Sequence, residues 1–281
     1  MKKMLVFQTD FTYKEGAVAA MYGVVKSVDS DIEIITATHE IPQYDTWSAS
    51  YRLYQYIDFW PKGTIFVSVV DPGVGTSRTA CVAETENGYY IVTPDNGSLT
   101  HVDRYFGIRS VRKIDETTNR LHREDNGAVS IFHGRDLFGY CAARLASGII
   151  SYEQVGEEYD TSKIVRHPIA EPTISEEGIS GMFEINDPNF GNLWTNILLS
   201  DFLKAGFRMG DEIHTVITRN GETVFDQKIP YYDSFGKAPD HSVMIYNNEI
   251  NKMGLAEVVG NLCQDYDLSY GKEYEVKFLH E

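Results

Sequence analysis

Long apolar runs are missing from this chain: no stretch approaches the roughly 20 residues that a membrane-spanning helix needs. The N-terminal MKKMLVF carries basic and apolar residues, but Gln8, Thr9 and Asp10 end its apolar part too early for a signal peptide. Cysteine is scarce, with Cys81, Cys141 and Cys263 widely spaced and no CxxC pair, which excludes a disulfide framework and a cysteine-based zinc site. That usage fits a reducing compartment and predicts a cytoplasmic protein. Positive charge is also short: 25 Lys and Arg against 41 Asp and Glu leave a formal net charge of −16. Nucleic acids and anionic membrane surfaces require a cationic face, so neither is an expected general partner. HExxH, an EF-hand loop, GxSxG and GxxxxGK[ST] are all absent, and the first strand lacks the three glycines of a dinucleotide fingerprint. No metal and no cofactor is expected.

What is present is globular in composition. Of 281 residues, 42% are hydrophobic and 23% charged, enough for one large domain or two ordinary ones. The first half alternates strand-like MLVFQTD, IEIITATH and GTIFVSVVDPG with helix-like AVAAMYGVVKSV and TWSASYRLYQYIDFW. A hairpin follows through Glu86-Asn87-Gly88, and DLFGYCAARLASG reads as a further helix with Asp136 at its cap and Gly148 as its stop. This alternation predicts an α/β N-terminal domain, residues 1–170, with a mostly parallel sheet covered by helices on both faces.

From about Ser175 the texture changes to short strands between turn signals, with Arg219-Asn220-Gly221-Glu222 as a strong hairpin. Residues 175–281 therefore read as an all-β, barrel-like or sandwich C-terminal domain. The connection HPIAEPTISEEG carries two prolines and several charges, as an exposed linker does.

Four strands of the first half stop on polar residues: Asp10, His39, Asp71 and the pair Asp95-Asn96. In an open α/β sheet the carboxyl ends of parallel strands line one crevice, where ligands bind. Each residue also has an ordinary reading, since Asp and Asn form turns and a histidine at a strand end is commonly a satisfied core group. FVSVVDPGVGTSR, residues 66–78, is the most pointed case. A buried strand ends on a carboxylate, Pro72 stops the ladder, two glycines free the backbone, and Arg78 follows seven residues on. SIFHGRDLF places His133 and Arg135 beside Asp136, at the start of the helix that Asp136 is expected to cap.

TDF, THEIP, WPKGTIFVSVVDPGVGTSR, VTPDNGSLT, FHGRDLF and NDPNFGNLWTNI occur in that order across most of the chain. In these stretches it resembles the S-adenosylmethionine hydroxide adenosyltransferases, relatives of the fluorinase and chlorinase. The resemblance implies hydrolysis of S-adenosylmethionine to adenosine and methionine by a homotrimer. Each substrate would lie between the first domain of one subunit and the second domain of its neighbour. By motif, the set that handles the attacking water falls on Asp71, Arg78 and His133. Asp10 would hold the ribose hydroxyls, with Tyr44 where the halide-using relatives carry a tryptophan. Phe190 would stack on adenine, Asn192 would bond its edge, and Asp187 would take the methionine ammonium. Two departures stand out. The family continues its first motif as DFG with an acid soon after, whereas here Thr12 follows Asp10-Phe11 and Glu15 stands near the acid. The C-terminal Ser-Gly loop is replaced by MIYNNEINKMGLAEVVGN, so that Asn247 and Asn248 would meet the methionine carboxylate.

Two other readings share the substrate. A halide adenosyltransferase needs no proton acceptor, and the presence of Asp71, Arg78 and His133 together speaks against it. A non-catalytic sensor of S-adenosylmethionine would keep the binding residues without turnover. For the hydrolase, either Asp71 or His133 would take the proton of water.

Overall fold

The computed structural model describes residues 4–122 and 131–280, which form two compact units, Met1–His167 and Pro168–Glu281. In the first unit, β1 (Met4–Thr9), β2 (Glu33–Thr38), β3 (Ile65–Val69), β4 (Ala80–Thr85), β5 (Tyr90–Pro94), β6 (Ile108–Lys113) and β7 (Glu158–Tyr159) form one sheet, ordered β2-β1-β3-β5-β4-β6-β7. The first four in that order run parallel, and β4, β6 and β7 run antiparallel to their neighbours. The expected mostly parallel sheet is thus a mixed one. The short turn at Glu86–Gly88 cannot supply the crossover that a parallel β4–β5 pair would need.

Strand β3 is buried along its whole length, as IFVSV requires between two helical layers. On one face α1 (Ala17–Val28) brings Met21 and Val25 against Leu5, Phe7 and Val67, together with Leu137 and Cys141 of the segment after His133. On the other face lies α2 (Thr46–Ile57), capped by Asp45 through the Ser48 N–H at 2.9 Å. Its Tyr56 ring sits 5.9 Å from Phe66. Helix α3 (Thr100–Phe106) packs beside α2.

The segment after His133 is π-helical over Gly134–Gly139 and becomes α4 at Tyr140–Ala146. Asp136 does not cap it. The buried Asp136 carboxylate pairs with the neighbouring Arg135 guanidinium, and no side chain caps this turn.

Among the described residues, the second unit contains two antiparallel sheets and no closed barrel. One sheet joins β8 (Thr173–Ser175), β9 (Gly178–Gly181), β12 (Glu212–Arg219), β13 (Glu222–Pro230) and β16 (Tyr274–Leu279). The other joins β10 (Phe183–Asn186), β11 (Leu193–Leu198), β14 (Val243–Asn247) and β15 (Lys252–Glu257). The chain switches sheets between β9 and β10, where the Met182 N–H donates to Asn196 Oδ1 at 2.9 Å. Pro230 ends β13, and a single bridge, Tyr231 to Ile245, joins the two sheets at that side. Phe183, Leu193, Ile245 and Leu255 of one sheet share a core with Ile213, Ile217, Val276 and Phe278 of the other. The helical turns α5 (Leu199–Lys204) and α6 (Leu262–Asp265) are short, as expected for this half. The hairpin at Asn220-Gly221 takes φ of 51° and 84°, the two positive values that a type I′ turn needs.

Candidate active site

The register of the parallel strands sets the site. Gln8 pairs with Thr38 and Thr9 with Val69, so the residues that follow, Asp10, His39 and Asp71, leave the sheet along one edge. The Asn96 amide donates to the Val70 carbonyl at 2.9 Å and ties the end of β5 to the residue before Asp71. After Asp71 the chain turns tightly, with Val74 N–H to Asp71 O at 3.2 Å and Gly75 at φ 79°. Gly73 leaves room for Arg78: a Cβ there would lie 3.2 Å from Arg78 Cγ, which would have to shift by a few tenths of an ångström. The turn therefore folds Arg78 back over Asp71.

Arg78 Nε donates to Asp71 Oδ1 and Oδ2 at 2.9 and 3.0 Å, and Nη2 donates to Oδ2. The same Nη2 lies 2.8 Å from His133 Nδ1. The Phe138 ring lies under the guanidinium at 5.1 Å. Only 9% of the Arg78 and 6% of the Asp71 side chain is exposed, so the pair sits in a medium far less screening than water. Burial pushes the His133 pKa down, as do the positive Arg78 and Arg120, against weaker opposing effects of Glu116 and Asp71. The structure thus brings Asp71, Arg78 and His133 into one continuous hydrogen-bonded chain.

Asp10 and Tyr44 meet beside it. Asp10 Oδ2 accepts from the Tyr44 N–H at 2.9 Å, while the Tyr44 ring stays 62% exposed. Burial raises the Asp10 pKa and the negative Asp71 adds to the rise, against the Tyr44 hydrogen bond. Phe11 and Phe132 touch edge to face at 5.8 Å. Thr12 stands where the family motif has glycine, and its φ of 57° is one that a β-branched residue adopts under strain. Glu15 accepts from the Ala17 N–H at 3.0 Å, at the start of α1. Asp95 is held by Tyr159 and the Val165 N–H, and buried His39 by Thr9 and Tyr22, so both have structural partners.

In the second unit, Asp187, Phe190 and Asn192 share the β10–β11 turn. Asp187 Oδ1 accepts from the Asn189 and Phe190 N–H groups at 3.0 and 3.3 Å, and Gly191 at φ 70° closes the turn. The Phe190 ring is left 65% exposed. Asn192, at the end of the same turn, is buried. Asn248 Oδ1 accepts from the Ile250 and Lys252 N–H groups and closes the β14–β15 turn; its buried Nδ2, like Asn247 Oδ1, has no partner among the described residues. Also among the described residues, no three His, Cys, Asp or Glu side chains converge as metal ligands, and no helix is long and apolar enough to cross a membrane.

Residues 5–156 match the SAM hydroxide adenosyltransferase N-terminal domain, and residues 183–275 match its C-terminal domain. The chain belongs to the SAM hydroxide adenosyltransferase family. Within and around that family, it is 29% identical over 277 residues to an (R)-S-adenosyl-L-methionine hydrolase of Methanocaldococcus jannaschii, covering 97% of this chain and 95% of that one. A fluorinase of Actinopolyspora mzabensis is 24% identical over 299 residues, covering 98% and 97%. The crystal structure of an uncharacterized conserved protein from Thermotoga maritima matches with a TM-score of 0.87 at 31% identity, covering 98% of this chain and 100% of that one.

Arg120 is a residue of the site that the family motifs in the sequence do not reveal. Its Nη1 donates to Glu116 Oε2 at 2.7 Å, and its Nη2 lies 3.4 Å from His133 Nε2. The Glu116–Arg120 spacing is the local signal; the nearness to His133, thirteen positions on, is a product of the fold.

Proposed function

We propose that the protein hydrolyses S-adenosyl-L-methionine to adenosine and L-methionine by in-line attack of water at C5′. The observation that carries this reading is the hydrogen-bonded Asp71–Arg78–His133 chain at the sheet edge, in a member of this family. The water oxygen bonds to C5′ as the C5′–S bond breaks, and that electron pair leaves with sulfur as a neutral thioether. One proton is released per turnover.

The leaving group needs no acid, because the sulfonium is already activated. Its charge is dispersed as the bond breaks, so a dry site favours the transition state over the ground state. The nucleophile is the harder problem. A guanidinium about 4 Å away, at an effective dielectric near 20, contributes about 4 kcal/mol. That lowers the pKa of the water but leaves it far above neutral pH. Arg78 therefore steers and stabilises hydroxide character, and a base has to accept the proton during attack. A halide transferase has no such need, and the intact chain of three residues favours hydrolysis over it.

We assign Asp10 and Tyr44 to the ribose side. Phe190 and Asn192 take adenine, Asp187 the methionine ammonium, and Asn247 and Asn248 the carboxylate. The reading includes a cytoplasmic homotrimer with sites shared between subunits. It is supported by the family resemblance, by two aromatic rings left facing solvent at Tyr44 and Phe190, and by free, buried Cys81 and Cys141.

The test is to incubate the pure protein with each sulfonium epimer in halide-free, oxygen-labelled water and to quantify both products. Equal release of adenosine and methionine, with label at the 5′ oxygen, is expected. Intact substrate despite saturable heat of binding would mean a sensor. Light scattering at three times the chain mass is expected; monomer mass would remove the trimer.

A further inference from the structure

We propose that Arg120 is a positioning residue that, opposite Arg78, keeps His133 uncharged, so that the proton of the attacking water passes to Asp71. This rests on the hydrolase reading for its chemistry, and on the geometry of the His133 ring for the rest.

A guanidinium has donors and no acceptor, so the 2.8 Å contact from Arg78 Nη2 makes His133 Nδ1 an acceptor. In the neutral ring the proton then belongs on Nε2. Arg120 Nη2 stands on that side, 3.4 Å from Nε2, where its positive charge opposes a second proton on the ring. Glu116 anchors it there. Among the described residues, the charged groups facing the ring are Arg78 and Asp71 from the β3–β4 turn, and Arg120 and Glu116 from the segment after β6. On the histidine's own element, Arg135 and Asp136 pair with each other.

Protonating His133 would require a proton on Nδ1. That breaks the bond from Arg78 and places an imidazolium between two guanidiniums. Asp71 remains as the acceptor. Arg78 Nη1 makes no hydrogen bond to any described residue, which leaves donors to hold a water oxygen beside the pair. The water proton goes to the Asp71 carboxylate and then to solvent, and His133 neither gains nor loses one.

The experiment compares wild type, Arg120→Gln and Arg120→Lys. Hydrolysis is followed across pH, and histidine-labelled protein is examined by long-range 1H–15N correlation. Wild type should show the Nε2-protonated tautomer. Arg120→Gln should titrate at higher pH and gain an acid limb, falling about tenfold per pH unit below that midpoint. Arg120→Lys should keep the wild-type profile. An Nδ1-protonated tautomer in wild type overturns the proposal, whether or not the Gln variant folds. So does an unchanged midpoint and profile in Arg120→Gln, with the hydrolase reading left standing. Absence of turnover in wild type sinks that reading instead, while the tautomer and midpoint still decide what Arg120 does.

Discussion

At the residue scale, Arg78 uses one edge of its guanidinium for two partners, a carboxylate and an imidazole. Replacing Asp71 by Asn removes the anion, and with it the proposed proton acceptor, with little change of shape. Turnover should fall by at least about 10²-fold, with adenosine still binding by titration calorimetry; Arg78→Ala should do the same. Wild-type rates in either would remove the assigned role. His39 makes a separate prediction. Burial lowers its pKa to about 4, against an ordinary value of about 6.5 in the unfolded chain. Below about pH 6.5 the unfolded chain takes up a proton that the folded one refuses. Stability is therefore full above that pH and declines as pH falls toward 4. The loss is at most about 3 kcal/mol. Urea melts of wild type and His39→Gln over that window should differ in slope; parallel curves would refute it. That Asp71, Arg78 and His133 would meet was legible, because motifs name residue types. Arg120 was not, since its role depends on a ring brought to it by folding.

At the element scale, the turn from Asp71 to Arg78 could be read from DPGVGTSR, because proline and glycine restrict backbone conformation locally. The π-helical turn after His133 could not, and Asp136 read as a cap is instead ion-paired to Arg135. A widened turn depends on what packs against it. Gly134 shows this: a Cβ there would lie 3.0 Å from both Phe11 Cε2 and Phe132 Cε2. Gly134→Ala should push the strand-end loop carrying Asp10 away from His133. A stability loss of about 1–2 kcal/mol is expected, together with a raised KM. An unaltered KM with unaltered melting would show that the two rings yield freely.

At the scale of the whole molecule, the net charge of −16 has a kinetic consequence. S-adenosylmethionine carries a sulfonium, an ammonium and a carboxylate, and is a net cation. A strongly negative protein attracts it, and salt shortens that attraction from about 10 Å at 0.1 M to about 3 Å at 1 M. kcat/KM should fall several-fold between low and high concentrations of a halide-free salt. Salt-independent kinetics would mean that the site is shielded from the field of the chain.

The alternation of strands and helices, the two-part division and the polar strand ends were all set by local pattern: spacing of apolar residues, proline and glycine positions, and turn chemistry. Tertiary structure alone decided how strands pair at a distance. The Glu86–Gly88 hairpin is itself local; its insertion between β3 and β6 is what made the expected mostly parallel sheet a mixed one. The sheet switch at Met182, with Pro230 ending β13, decided between the two expected forms, giving two packed sheets rather than a closed barrel. The protonation of His133 belongs to the same class. An imidazole is ordinarily poised near neutrality, and what biases this one is a pair of guanidiniums, from segments far apart in sequence, on its two nitrogens.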